Sequence, residues 1–363
     1  MKKFIIKAGI LAAVTYFVII VCNYTIDPAN IYHDNLAKEM AQRLTEGNIV
    51  KSPDDWDEGL LLELVVSALE KSPETVILGS SHTRYIPFEF DDYYNASLSS
   101  ACLGDYYAAL GVFEYNQVMP DKIILGLDQW IFEVDVSYVG QTSISNYNEY
   151  EQDKILNGNT GSVLQDVGQN AIAGEVKELF SLPYFQASFK TMLTNGIPER
   201  GQDMGIEIVT DDTPAAYLKQ LPNGRGTMST DAYMSVEQCV SAAQAKIDSG
   251  ETPFLTRTGT LDIHKSVVKQ FEAMVEYLLE KGIEVEFYLP PWPPTFYDYC
   301  VSTEEYQGVT EIEKYLRLYA REHEIVVRGT YNPSLIGLTN EDLSDYQHLK
   351  PEIMLDTYNV ILK

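Results

Sequence analysis

Apolar positions recur along this chain in two rhythms. Short unbroken runs stand at Val76–Leu78, Asn95–Leu98, Lys122–Leu127, Ile283–Leu289 and Ile325–Arg328. Runs of that length read as strands of a parallel sheet buried on both faces. Between them lie stretches with apolar residues three and four apart: Gly59–Glu70, Asp105–Val118, Leu261–Lys281 and Thr303–Glu322. In Leu261–Lys281 the stripe is Ile263, Val267, Val268, Phe271, Met274, Val275 and Leu278, and Gly282 follows as a stop signal. Strand alternating with helix at this spacing predicts a doubly wound α/β domain. The rhythm breaks between about 134 and 260. There Asn146, Asn148, Asn157 and Asn159 form a polar opening, Val163–Leu193 reads as helices punctuated at Leu182-Pro183, and Gly196–Thr230 reads as loop. An insertion after the third strand is expected either as a cap over the sheet's active edge or as a surface elaboration.

The amino end has a different pattern. Phe4 to Cys22 is apolar except for Lys7 and Thr15. As a helix it extends roughly 28 Å, close to the ~30 Å of a bilayer core. Lys2, Lys3 and Lys7 precede or open the stretch, while Asp27 and Asp34 follow, which predicts the amino end inside and the remainder outside. The organisation expected is thus a transmembrane anchor over 1–23, a membrane-proximal stem over 24–58, and an α/β domain over 59–363. Localisation at the cell membrane, single-pass with the domain extracytoplasmic, follows from it.

Charge narrows the partners. The 363 residues carry a formal charge of −27. Phosphate backbones would be repelled, so nucleic acid is excluded as a partner. Cys22, Cys102, Cys239 and Cys300 lie far apart with no Cys-x-x-Cys spacing, and neither a metal site nor a cofactor is expected.

The candidate chemistry sits at the two ends of the domain. The first strand runs straight into Gly79-Ser80-Ser81-His82. A serine there lies at a sheet's carboxyl edge, where open α/β folds place ligands. Near the other terminus, Asp345 and His348 are three residues apart, a spacing that lets a carboxylate orient an imidazole. A serine hydroxyl needs such a base to act as a nucleophile at neutral pH. His82 either contacts substrate or begins a helix, and Arg84 either holds an anion or makes a surface ion pair. Trp292, in Pro290-Pro291-Trp292-Pro293-Pro294, either walls a sugar cleft or anchors in the core.

At this pairing the chain resembles the SGNH (GDSL-like) hydrolase superfamily, in particular its membrane-anchored, DltD-like and alginate-acetylation-like members. Gly79-Ser80-Ser81 matches the first block, Asn95–Ala101 the second, Gly126-Leu127-Asp128-Gln129 the third and Asp345–His348 the last. The resemblance implies a flavodoxin-like three-layer sheet with Ser81, His348 and Asp345 as catalytic triad. It implies an oxyanion hole from the Ser81 and Ser100 backbone N–H groups and the side chain at 128. Two positions depart from the family: Ser100 replaces a glycine, and Asp128 replaces an asparagine. An ionised carboxylate repels an oxyanion, so a protonated Asp128, an inward-turned Gln129 or a missing donor are the alternatives. The implied function is an anchored serine O-acyltransferase or esterase acting on a cell-surface polysaccharide or teichoic-acid-like polymer, with a membrane-bound O-acyltransferase as partner. The alternative is a catalytically inactive scaffold of the same fold.

Overall fold

The computed structural model describes residues 2–28, 36–53, 56–158, 179–197, 206–211, 217–250 and 255–362. Strands β1 (Ile49–Lys51), β2 (Thr75–Leu78), β3 (Tyr93–Asn95) and β4 (Lys122–Gly126) come first, with β5 (Ile208–Val209), β6 (Lys219–Gln220) and β7 (Gly226–Thr227) inside the insertion. Strands β8 (Glu284–Leu289) and β9 (Val326–Gly329) follow. Five of them form one parallel sheet in the order β3-β2-β4-β8-β9. Counted along the chain within that sheet, the order is 2-1-3-4-5, which reverses direction between β2 and β4. Crevices at such reversals, beyond the carboxyl ends of the strands, are where doubly wound sheets bind ligands.

Alternate residues of the strands enter separate cores, as the pleat requires. Val76, Leu78, Ile123, Leu125, Val285 and Phe287 pack with helices Glu58–Ser67, Leu103–Tyr115, Lys265–Glu280 and Gly308–Glu322. Ile77, Ile124 and Tyr288 enter the opposite core with Ile86, Phe88, Met354 and Tyr358. The fold is therefore α/β with helices on both sides of the parallel sheet. Glu286, 2 % exposed in β8, is held by Lys122 at 3.0 Å, Arg328 at 2.6 Å and the Tyr358 hydroxyl at 2.5 Å. That set neutralises a carboxylate buried within the sheet.

Three expectations need revision. The stretch read as a stem carries helix Leu36–Thr45, whose Ala37, Met40 and Leu44 are buried in the main core. The stretch read as loop contains β5, β6 and β7, and these build a second, antiparallel sheet with β1 in the order β5-β1-β6-β7. The strand expected at Asn95–Leu98 is seen at Tyr93–Asn95; a helix expected within Val163–Leu193 is seen from Leu182 to Asn195, as the Leu182-Pro183 signal implies, while 159–178 lie outside the described residues.

Lys2–Ile26 forms one 25-residue helix. Its carboxyl end is fastened to the helix Leu182–Asn195: Asn23 donates to the Leu179 and Ser181 carbonyls, and the Tyr184 hydroxyl donates to Asp27 at 2.6 Å. Among the described residues, no helix is long and apolar enough to cross a membrane.

Candidate active site

Ser80 caps the four-residue helix Ser81–Arg84 by accepting from the His82 backbone N–H at 3.0 Å. Ser81 is thereby the first residue of that helix, partly exposed, directly beyond β2. Thr83 locks the turn from beneath. Its hydroxyl donates to the Ser80 carbonyl at 2.9 Å and meets Ser97 Oγ at 2.6 Å. A Cβ on Gly79 would lie 2.2 Å from Thr83 Oγ1, and one on Gly126 2.1 Å from Thr83 Cγ2. These two strand-end glycines are needed for close approach of a side chain rather than for a left-handed backbone.

The turn at the far end of the chain meets this helix. Ser81 Oγ lies 2.8 Å from His348 Nε2, across 267 residues of sequence. His348 Nδ1 lies 2.8 Å from Asp345 Oδ2. Asp345 Oδ1 accepts from the backbone N–H groups of Gln347 and His348, both at 2.8 Å, which fixes the turn. Burial pushes the Asp345 carboxyl up. The hydrogen bond and charge of His348 and the two backbone donors outweigh it and hold the group below the usual carboxylate range. Asp345 therefore stays ionised and orients His348 with Nδ1 protonated, leaving Nε2 to accept from Ser81.

The second block is held from below by a buried ion pair. Arg84 is 6 % exposed and grips Glu58 through two bonds of 2.7 and 2.5 Å. It also donates to the Ser97 carbonyl, while Glu58 accepts from the Ser99 backbone and hydroxyl at 2.7 and 2.8 Å. Burial raises the Glu58 carboxyl, but Arg84 and Ser99 more than offset this and hold it low. Neither a surface ion pair nor a free anion-binding role fits Arg84. It clamps the loop that presents Ser100. Ser100 has φ +53°, a left-handed conformation that glycine would adopt without strain. The backbone N–H groups of Ser81 and Ser100 have no acceptor among the described residues.

His82 and Asp128 take a place that sequence reasoning did not assign them. Asp128 follows β4 and is 1 % exposed; its Oδ1 lies 2.6 Å from His82 Nδ1. His82 is itself 7 % exposed, with its ring 5.3 Å from that of His348. His82 is a helix-start residue, as expected, and its side chain is in addition buried against Asp128. Burial pushes the His82 imidazole down, but the charge and hydrogen bond of Asp128, then Asp345 and the Gln347 carbonyl, reverse this and raise it. Gln129 is fully buried, and its amide has no hydrogen-bond partner among the described residues. Trp292 is 1 % exposed and packs against His82, Trp130 and Phe296, so it underlies the site and walls no open sugar cleft.

Trp130, Glu58, Asn95 and Thr83 were missed. Trp130 covers His82 at 5.6 Å and donates to the Ala101 carbonyl at 2.9 Å. Asn95 donates to the Thr83 and Arg84 carbonyls and accepts from Ser97 N, joining two of the blocks. The insertion also reaches the site's border. Asn223 accepts from Asn95 N at 2.7 Å, Ser344 accepts from Met234 N at 2.8 Å, and Gly226 leaves room for Arg84 and Tyr85. No group of His, Cys, Asp and Glu with metal-holding geometry occurs among the described residues. No protein-family model, curated protein or solved structure matches the chain.

Proposed function

We propose that this protein is a serine acyl-transfer enzyme, an O-acyltransferase or esterase of the SGNH type, acting on a cell-surface polymer. The single observation that carries the reading is the 2.8 Å contact between Ser81 Oγ and His348 Nε2, with Asp345 behind the imidazole. In the first step Ser81 Oγ attacks the ester carbonyl carbon while its proton passes to His348 Nε2. The tetrahedral oxyanion is received by the Ser81 and Ser100 N–H groups. The bond to the leaving oxygen then breaks, and His348 returns the proton to it. An acceptor hydroxyl, from water or from the polymer, repeats the sequence on the acyl-serine and frees Ser81. Because the chain carries −27 charges, an uncharged polysaccharide is favoured as acceptor over a polyphosphate of teichoic-acid type.

Attachment to a membrane through Lys2–Ile26, and with it an extracytoplasmic location and a membrane-bound O-acyltransferase as partner, belongs to the same proposal. Its support is the exposure of Ile10, Val14, Phe17, Val18 and Val21 on that helix, behind a basic amino end. Release of the protein from membranes by alkaline carbonate would remove this part and leave the chemistry standing. A second reading, a non-catalytic scaffold, draws on Asp128, whose Oδ1 engages His82 and offers no donor to an oxyanion.

Hydrolysis of short-chain aryl esters by the purified chain separates the two. The wild type is expected to turn over, and Ser81→Ala to lose on the order of 10⁴-fold or more. Turnover that survives in Ser81→Ala would overturn the enzyme reading, and no turnover at any pH from about 6 to 9 would favour the scaffold.

A further inference from the structure

His82 is the residue next to the nucleophile, yet its ring points away from solvent and into a fixed frame. Nδ1 faces Asp128 Oδ1 at 2.6 Å from the β4 side. The His348 ring, on the turn that also carries Asp345, stands edge-on to the same ring at 5.3 Å. Trp130 and Trp292 close the remaining sides at centroid distances of 5.6 and 5.8 Å. The charged and titratable groups around it are therefore Asp128, Asp345 and His348. Tyr85 stands edge-on to His348, and the buried hydroxyls of Tyr106 and Tyr331 near Asp128 are occupied with the Gly126 and Leu127 carbonyls.

An imidazole hydrogen-bonded on one side and packed against a second imidazole on the other is a bridge. It links the end of β4 to the turn Asp345–His348, whose flanks are paired through Leu343 and Leu349. Within that turn, Asp345 Oδ1 gathers the Gln347 and His348 N–H groups. Beside it, Ser344 N donates to the His348 carbonyl at 2.9 Å. Asp128 itself has Oδ2 without a partner among the described residues, so His82 is what compensates that carboxylate.

We propose that His82 and Asp128 form a positioning pair for the serine site: Asp128 fixes the His82 ring, and that ring packs against His348 so that His348 Nε2 stays aimed at Ser81. The pair explains together the two residues of the site that an ordinary oxyanion-hole reading leaves unexplained. The carboxylate that stands at 128 in place of a donor is partnered by His82 Nδ1. The inference rests on the acyl-transfer reading for its purpose, but the coupling it asserts between His82, Asp128 and His348 is physical and measurable without turnover.

The test is a histidine titration by NMR on the full chain, which has five histidines to assign. In His82→Gln the Asp128 carboxylate is left uncompensated near His348, so the His348 midpoint is expected to rise by about one pH unit. In His82→Gln with Asp128→Asn no uncompensated charge remains, and the His348 midpoint is expected to return close to the wild-type value. Asp128→Asn alone, a near-isosteric change that serves if His82→Gln does not fold, is expected to lower the midpoint of His82 by about a unit or more. It is also expected to slow fluorophosphonate labelling of Ser81 roughly tenfold, because the base loses its brace. A His348 midpoint that does not move in His82→Gln, or moves equally in the double variant, would overturn the proposal. So would a His82 midpoint indifferent to Asp128→Asn. A wild-type chain that titrates as expected but takes up no fluorophosphonate would leave the pair standing and remove the serine chemistry instead.

Discussion

Two imidazole–carboxylate pairs lie side by side in this protein, and they are built from the same parts for different ends. His348 and Asp345 sit on a turn at the rim, 2.8 Å apart, with the far ring nitrogen directed at the Ser81 hydroxyl. His82 and Asp128 sit deeper, 2.6 Å apart, with the His82 ring packed against two tryptophans and the His348 ring. In the first pair one nitrogen remains to take a proton from a reacting group. In the second the ring is buried with Nδ1 facing a carboxylate, and neither nitrogen is directed at the Ser81 hydroxyl. On the proposed acyl-transfer reading, burial and the third partner separate a pair placed to move a proton from a pair placed to hold the frame. A third ion pair, Glu58–Arg84, extends the comparison, since it touches no reacting group and only fixes the Ser97–Ser99 loop.

The sharpest way to break the comparison is to neutralise the carboxylate of the working pair. Asp345→Asn is expected to lower kcat by about 10⁴-fold, as the imidazole adopts the wrong tautomer, with little change in fold by circular dichroism. If the loss were less than about tenfold, His348 would not depend on Asp345 as argued. Next in size is Glu58→Gln, which leaves the Arg84 charge buried without its partner. A destabilisation of about 3–5 kcal/mol is expected in urea unfolding. A stability loss below ~1 kcal/mol would show that the clamp is not holding the loop.

The smallest effect separates the pairs by pH. The Asp345 and Glu58 carboxyls are held below their ordinary range. Their contribution to stability is present above roughly pH 4, the unfolded value, and is lost as pH falls through the folded one. His82 is raised, so its contribution is complete below roughly pH 6.5 and is lost as pH rises through its folded value. The thermal midpoint is therefore expected to fall by a few degrees on the alkaline side in wild type. That alkaline fall should be absent in the His82→Gln, Asp128→Asn double variant. An alkaline decline that persists there would assign it to another group.

How much of this was legible in the sequence depended on whether the signal was local. Strands β2, β4, β8 and β9 lie within a residue of an apolar run in the sequence, whereas β3 meets the run Asn95–Leu98 only at Asn95. Ser81, Asp345 and His348 were readable because strand-end serine and Asp-x-x-His are short-range patterns. The second sheet was not readable: β1 has three residues, its partners two each, and they lie more than 150 positions away. Arg84 reads as a surface residue until Glu58, 26 positions upstream in an apparent stem, is seen beside it. Asp128 reads as a damaged oxyanion donor for the same reason. Its compensating His82 stands 46 positions earlier, and no periodicity joins them.

The central claim is that Ser81 is the nucleophile that His348 activates. It is tested most directly by treating the full-length protein with a fluorophosphonate and locating the adduct by peptide mass spectrometry. The account predicts a single adduct, on Ser81, formed in wild type and abolished in His348→Ala. An adduct on another residue, or labelling of Ser81 that is as fast without His348, would contradict it.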